Sequence, residues 1–284
     1  MYNMKLFDFA NIIRSESSAI EFLCKQSRMM DRNIACPLCK SKRYYIMRKG
    51  YARCKRCMAD YDPFVNAQFG KVRINYDKWL SLIKLFDLGI SARRASKETG
   101  TSYPAALKAF DAIRYSIVHE LAKKDKILKG EIEADESYFG GKRKGMRGRG
   151  AKNKTIVFGI MERNGKVSIS IVKDVSAESL INETVKKVRR GSIVYTDKWK
   201  SYDSLMFCGY KHLSIGHKYK FKRGKVYING IEGFWSFAKE RLAKHHGISP
   251  GKFLFYIKEQ EWRYNHREKD LFMLLVKYML GDAN

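Results

Sequence analysis

Apolar residues recur three and four apart between Asp77 and Leu121. Trp79, Leu80, Ile83 and Phe86 lie on one side of that period, which predicts an amphipathic helix. Gly89 stops it, and Ser91 is placed to cap a short second helix that ends at Gly100. Thr101 or Ser102 caps a third, carrying Ala106, Phe110, Ile113 and Ile117. After Lys129-Gly130 the period changes to two. "EIEADESYFGGK" alternates apolar and polar early on, as a strand does. "TIVFGIMERNGKVSISIVKD" is two β-rich runs around Asn164-Gly165, the strongest short hairpin signal. "SAESLINETVKKVRR" reads as an amphipathic helix with Ser176 as its cap. "GSIVYTDKWKSYDSL" reads as an apolar strand ending at Thr196-Asp197, and "NGIEGFWSFAKERLAKHHG" as a helix.

Composition adds that these elements enclose a real core: 45% of the 284 residues are hydrophobic and 13% aromatic. The longest apolar runs, such as "LFMLLV", are too short to span a bilayer. The N-terminus has no basic start followed by an apolar stretch. The expectation is a cytoplasmic, nucleoid-associated protein. The formal net charge of +28 calls for a polyanionic partner, nucleic acid first. An anionic membrane surface comes second, with no basic amphipathic helix to support it.

Four of the six cysteines form two Cys-x-x-Cys pairs, Cys36/Cys39 and Cys54/Cys57, with 14 residues between them. In a cytoplasmic chain this spacing predicts a tetrahedral Zn²⁺ site rather than disulfides. Each pair forms a turn whose amides steady the thiolates, and "YYIMRKGYAR" supplies a hairpin with Gly50 near its turn. The expectation is a structural zinc ribbon over residues 1–66, without chemistry of its own. A rubredoxin-like iron site or a redox dithiol are the alternatives. Cys24 and Cys208 read as ordinary buried thiols.

The three helices occupy residues 67–127. Two short helices joined by a Gly-containing turn suit a helix-turn-helix, with the third helix in the major groove of double-stranded DNA. Ser102, Tyr103 and Lys108 would then lie nearest the bases. The alternative is a helical spacer that binds nothing.

Residues 128–284 hold the chemistry. Glu131, Glu133, Asp135 and Glu136 concentrate acid in a strongly basic chain. The order strand, hairpin, helix, strand, helix resembles the ribonuclease-H-like arrangement, which brings together carboxylates from two central strands and a late helix. Asp135, Asp197 and Glu232 fall on those elements. Hard divalent cations such as Mg²⁺ (or Mn²⁺) want such oxygen ligands, and a two-metal site stabilises both the attacking and the leaving oxygen of a phosphoryl transfer. Glu133, on the same strand face, is a rival to Asp135, whereas Glu136 faces away. Asp197 has the alternative of capping a turn, and Glu232 that of an ordinary first-turn acid. Trp235, Ser236 and Lys239 share the Glu232 face, which places Lys239 to hold a phosphate. Lys142, Arg143, Lys144, Arg147, Arg149 and Lys152 lie in a glycine-containing basic loop. Lys218, Lys220, Lys222 and Arg223 alternate with Tyr219 and Phe221. Both segments suit DNA-backbone contact, and a solvated charged surface is the alternative.

Taken together, "CPLC…CKRC", "GISARRASKETGTSYPAALKAFDAIR", "EADESYFGGKRKGMRGRGAKNKTIVFGIMER", "VYTDKWKSYDSL" and "NGIEGFWSFAKERL…HHGISPGKF…EWRYNHR" resemble the insertion-sequence DDE transposases with an N-terminal zinc ribbon, the ISXO-like group. The resemblance covers nearly the whole chain. It implies an α+β multidomain protein with a C-terminal ribonuclease-H-like α/β catalytic domain. It implies binding of terminal inverted repeats and metal-assisted end cleavage and strand transfer. Its signature of two aspartates, a third residue and a lysine falls on Asp135, Asp197, Glu232 and Lys239, with Asn229 the rival for third place. Paired DNA ends imply a homo-oligomer. A nuclease that cleaves without joining, or a non-catalytic transcription regulator, are the competing functions.

Overall fold

A computed structural model of the chain describes residues 4–29, 34–47, 51–64, 67–123, 127–140, 154–197, 206, 208–215, 228–245 and 247–281. It forms two compact units, Met1–Glu120 together with His266–Asn284, and Leu121–Asn265.

In the first unit, helices α1 (Leu6–Ile12) and α2 (Glu16–Met29) precede a three-stranded antiparallel sheet of β1 (Tyr44–Ile46), β2 (Ala52–Cys54) and β3 (Asp60–Tyr61). The hairpin expected between the cysteine pairs is β1–β2, with Tyr44 opposite Cys54 and Ile46 opposite Ala52. Gly50 lies outside the described residues. Helix α3 (Tyr76–Asp87) buries Trp79, Leu80, Ile83 and Phe86, as their spacing requires. Phe69 meets Trp79 edge-on at 5.5 Å, and Phe86 meets Phe110 at 5.1 Å. Helix α4 (Ala92–Thr99) is capped by the Ser91 side chain, which accepts from the Arg94 amide, and is closed by Gly100 at φ 60. The cap of α5 (Tyr103–Lys123) is Ser102, whose Oγ accepts from the Ala105 amide at 3.4 Å. Ala106, Phe110, Ile113 and Ile117 are its buried face.

The second unit is built on a sheet of β4 (Glu131–Phe139), β5 (Thr155–Glu162), β6 (Val167–Val172), β7 (Ile193–Asp197) and β8 (Lys211–Ile215), in the order β6-β5-β4-β7-β8. β4, β5 and β6 are antiparallel neighbours. β7 runs parallel to β4, and β8 parallel to β7. The β5–β6 turn falls at Asn164-Gly165 as expected, with Asn164 at φ 55. Side chains alternate along each strand, so the two faces bury different sets. Ile132, Ala134, Phe158, Ile160 and Val194 cluster with Leu180 of α6 (Ala177–Lys187). Phe139, Val157 and Tyr195 cluster with Ile231, Phe234 and Trp235 of α7 (Asn229–Ala243) and with Ile257 of α8 (Pro250–Asn265). Helix α8 also meets the backbone of β6. The Val167 amide donates to Asn265 Oδ1 at 2.9 Å, and Asn265 Nδ2 donates back to the Val167 carbonyl at 2.8 Å. Glu261 accepts from the Ile169 amide at 3.3 Å, and Lys258 donates to its carbonyl at 2.8 Å.

The last helix, α9 (Leu271–Met279), belongs to the first unit, whereas a boundary at residue 128 kept it with the second. Its sequence, LFMLLVKYM, is apolar on nearly every side and needs more than one partner. Phe272 finds Phe9 at 5.4 Å and Phe22 at 6.4 Å between ring centroids. No helix among the described residues is long and apolar enough to cross a membrane.

Candidate active site and metal cluster

Cys36, Cys39, Cys54 and Cys57 converge, with all four Sγ atoms within 4.8 Å of one another. The two pairs are built alike. Each folds into a tight turn closed by an amide donating to the first cysteine's carbonyl, Lys40 to Cys36 at 2.9 Å and Met58 to Cys54 at 3.1 Å. Lys40 and Met58 both take positive φ, 56 and 62. The Cys39 amide lowers the pKa of Cys36, and the Cys57 amide lowers Cys54 to about 6. Across the cluster, Cys36 and Cys57 are 3.5 Å apart and Cys39 and Cys54 3.4 Å. A tetrahedral ion with Zn–S bonds of about 2.3 Å needs sulfurs about 3.8 Å apart. The four thiols fit Zn²⁺ with only small adjustment. Cys24 is buried as expected, while Cys208 is only half-buried.

The acidic strand explains itself face by face. Glu131, Glu133 and Asp135 alternate onto the side of the sheet that α7 covers. β4 and β7 pair in register through Ala134 and Thr196, so one further step sets Asp135 beside Asp197. In a parallel pair, such neighbours point to the same side, with strands about 4.8 Å apart. Both aspartates therefore face α7 at adjacent positions on the two central strands.

From α7, Trp235 donates its indole N–H to Asp135 Oδ2 at 3.1 Å. Glu232, one turn earlier and exposed, lies close enough for its charge to act on Asp135. Burial raises the Asp135 pKa to about 7. The charges of Glu136 and Glu232 add to that rise, while the Glu136 amide and the Trp235 indole oppose it. Such a carboxyl is one that a nearby cation would keep ionised. Lys239 is exposed, with its ammonium 5.8 Å from the ring centroid of Phe139 at the far end of β4. Asn229 is exposed at the first position of α7.

Glu133 has a different occupation. It is 1% exposed, and its Oε2 accepts from the Ile231 amide at 3.0 Å, in the first turn of α7. Its Oε1 lies 3.4 Å from Arg163 Nε, and Arg163 also bonds Glu131 at 2.7 Å and stacks over Tyr195 at 3.6 Å. Gly230 permits this approach, since a Cβ there would sit 2.8 Å from Glu133 Oε2. Glu133 thus joins strand to helix. Glu133→Ala should lower unfolding stability by about 1–3 kcal/mol, because the buried Ile231 amide would lose its acceptor while Arg163 keeps Glu131. Denaturant titration of the purified variant measures this.

Sequence reasoning overlooked the Arg163 bridge and the Trp235 hydrogen bond. It also overlooked Gly159, opposite Asp135 on β5, where a Cβ would lie 2.6 Å from Trp235 Cζ2. A lone glycine inside the apolar run "IVFGIM" was the available signal for such a close approach. At the helical end, Ser102, Tyr103 and Lys108 are exposed at the start of α5, and the Arg93 guanidinium lies 5.3 Å over the Tyr103 ring. The basic segments expected to contact DNA, with Lys142, Arg143, Lys144, Arg147, Arg149 and Lys152, and with Lys218, Lys220, Lys222 and Arg223, lie outside the described residues.

Among the described residues, the four cysteines are the group of metal-ligating side chains gathered within 4.8 Å of one another; Asp135, Asp197 and Glu232 are not drawn together that closely. Residues 127–265 match the ISXO2-like transposase domain. Over 103 residues the chain is 42% identical to an uncharacterized transposase-like protein of Haemophilus influenzae, covering 36% of this chain and 84% of that one. The chain belongs to the ISXO2-like insertion-sequence transposases. Among solved structures, it is similar to the catalytic core domain of BIV integrase, with TM-score 0.34 and 14% identity over 50% of this chain and 86% of that chain. It is also similar to the Mos1 strand transfer complex, with TM-score 0.29 and 11% identity over 72% and 79% of the two chains.

Proposed function

We propose that this transposase binds the terminal inverted repeats of its element as double-stranded DNA, cleaves the element's ends and joins them to target DNA. The observation that carries this is the place of Asp135 and Asp197, each one step past the Ala134–Thr196 pair on adjacent central strands, with the Glu232 charge acting on Asp135. The sheet order, with three antiparallel strands followed by two parallel additions, supports a ribonuclease-H-like catalytic domain.

In this reading Asp135, Asp197 and Glu232 hold Mg²⁺ or Mn²⁺. When bound, the cations neutralise phosphate charge and stabilise the attacking and leaving oxygens. The chain supplies position: Lys239 holds a phosphate oxygen, and the basic segments hold the backbone on either side of the scissile bond. Water attacks at the element's end and frees a 3′-OH, which then attacks the target phosphodiester in line. Residues 1–66, with Zn²⁺ on the four cysteines, and the helix-turn-helix of residues 67–127 serve recognition. Two copies on paired ends complete the assembly.

The test uses purified protein, a labelled element end, a plasmid target and Mg²⁺. A covalent joint between the labelled 3′ end and the plasmid is the expected product. Cleaved ends without a joint would make the protein a nuclease, and binding of the ends with neither cleavage nor joining in Mg²⁺ or Mn²⁺ would make it a regulator. In the same system Lys108→Ala should weaken binding of the element's own ends by about 1–3 kcal/mol and relax the sequence preference there, as loss of a contact near the bases does.

A further inference from the structure

Glu133 sets where α7 begins, but it does not reach the aspartates. The side chain that does is Trp235. Its ring is buried between Phe139 at 6.0 Å and Phe234 at 5.1 Å. A phenyl ring would keep ring contacts with both, though it would not fill the space beside Gly159. What a phenyl ring lacks is the N–H that reaches Asp135 Oδ2 at 3.1 Å. The neighbouring strand is shaped for this contact. Gly159 faces Asp135 across the β4–β5 pairing, and any larger residue would meet the indole, with a Cβ 2.6 Å from Cζ2 and 2.8 Å from Cη2. A glycine inside a strand weakens the strand, so this notch serves the indole rather than the sheet.

We infer that Trp235 is a positioning residue for the metal site, and that its indole N–H fixes the orientation of the Asp135 carboxylate through the notch at Gly159. This rests on the catalytic reading of Asp135, Asp197 and Glu232. An ionised carboxylate has about four lone-pair sites and rotates freely when unsupported. Held at Oδ2 by the indole, together with the Glu136 amide, Asp135 presents its remaining lone pairs in one fixed direction. Mg²⁺ demands near-ideal octahedral geometry, so a carboxylate left to rotate penalises Mg²⁺ most. Loss of a hydrogen bond that orients a metal ligand typically weakens binding by roughly 10–100-fold.

The experiment titrates purified full-length protein with Mg²⁺ and with Mn²⁺ by calorimetry, for wild type, Trp235→Phe, Gly159→Ala and Asp135→Asn, with thermal unfolding as the check on folding. Trp235→Phe should stay folded with some loss of stability, because it leaves space beside Gly159, and should bind Mg²⁺ at least about tenfold more weakly, with a smaller loss for Mn²⁺. Gly159→Ala, which displaces the indole without removing it, should show the same ranking of metals. In ¹⁵N-labelled wild type, one of the four tryptophan indole N–H signals should move on adding Mg²⁺ and move also in Asp135→Asn, a readout that does not depend on either notch variant folding. If wild type binds Mg²⁺, Asp135→Asn does not, and no indole signal responds while folded Trp235→Phe binds as wild type does, the positioning role is overturned and the metal site stands. If Asp135→Asn binds Mg²⁺ and joins DNA as wild type does, the metal site falls and this inference with it.

Discussion

Asp197→Ala is expected to abolish joining of element ends to target DNA while leaving binding of those ends intact. Asp197 closes β7 and falls beside Asp135 once the β4–β7 register is continued. Removing one of two adjacent carboxylates takes away a metal ligand at the point where charge develops. A loss of about 4 kcal/mol of transition-state stabilisation is on the order of a thousandfold in rate. Asp135→Ala should match it, and so should Glu232→Ala, whose charge acts on Asp135. Asn229→Ala should stay near wild type, because an amide contributes less to a hard cation than a carboxylate does. The measurement is the rate of joint formation by purified protein under saturating Mg²⁺, with end binding followed in parallel. Wild-type joining by Asp197→Ala would remove the assignment. Loss in Asn229→Ala with Glu232→Ala unaffected would move the third position to the amide.

The second large effect lies in the cysteine cluster. Cys54→Ser is expected to release the bound zinc and unfold the small sheet around it. That sheet has three short strands, the longest of three residues, too little to stand alone. Structural zinc supplies about 10–16 kcal/mol in comparable small domains, far more than such strands could provide by burial. Metal analysis should find one zinc per chain in wild type and less in the variant. Amide exchange should rise sharply over residues 34–61 on adding a strong chelator. Protection of β4, β5 and β7 should persist, because those strands pair within the other compact unit. Unchanged protection around Cys36 and Cys54 after complete zinc removal would contradict a structural role for the metal.

What the sequence made legible followed from local chemistry. The helix of Trp79, Leu80, Ile83 and Phe86, its glycine stop and the Ser91 cap each depend on a few neighbouring residues, and each is where the spacing put it. The same holds for the Asn164-Gly165 turn and for the four converging cysteines. The less legible parts depend on residues far apart. β8 is half exposed and lacks a clear alternation, so only its pairing with β7 makes it a strand. Helix α8 places Glu259, Gln260, Glu261 and Arg263 in buried positions, which inverts the usual polar-out pattern; Glu259 and Arg263 pair with each other at 2.8 Å. Glu133 looked like an equal of Asp135 because strand alternation alone cannot separate two acids on one face. Its partners, Arg163 and the Ile231 amide, are 30 and 98 residues away.

The bonds between α8 and β6 carry one more consequence. A strand at the margin of a sheet leaves amides and carbonyls turned outward, and these are a template on which another chain can add its own strand. At Val167 and Ile169 that template is already filled: Asn265 pairs with Val167 in both directions as a strand residue would, and Glu261 and Lys258 occupy Ile169. A second copy of this protein finds no footing at those two residues for strand addition. The first half of this strand is thereby guarded against fusing with the sheet of another copy.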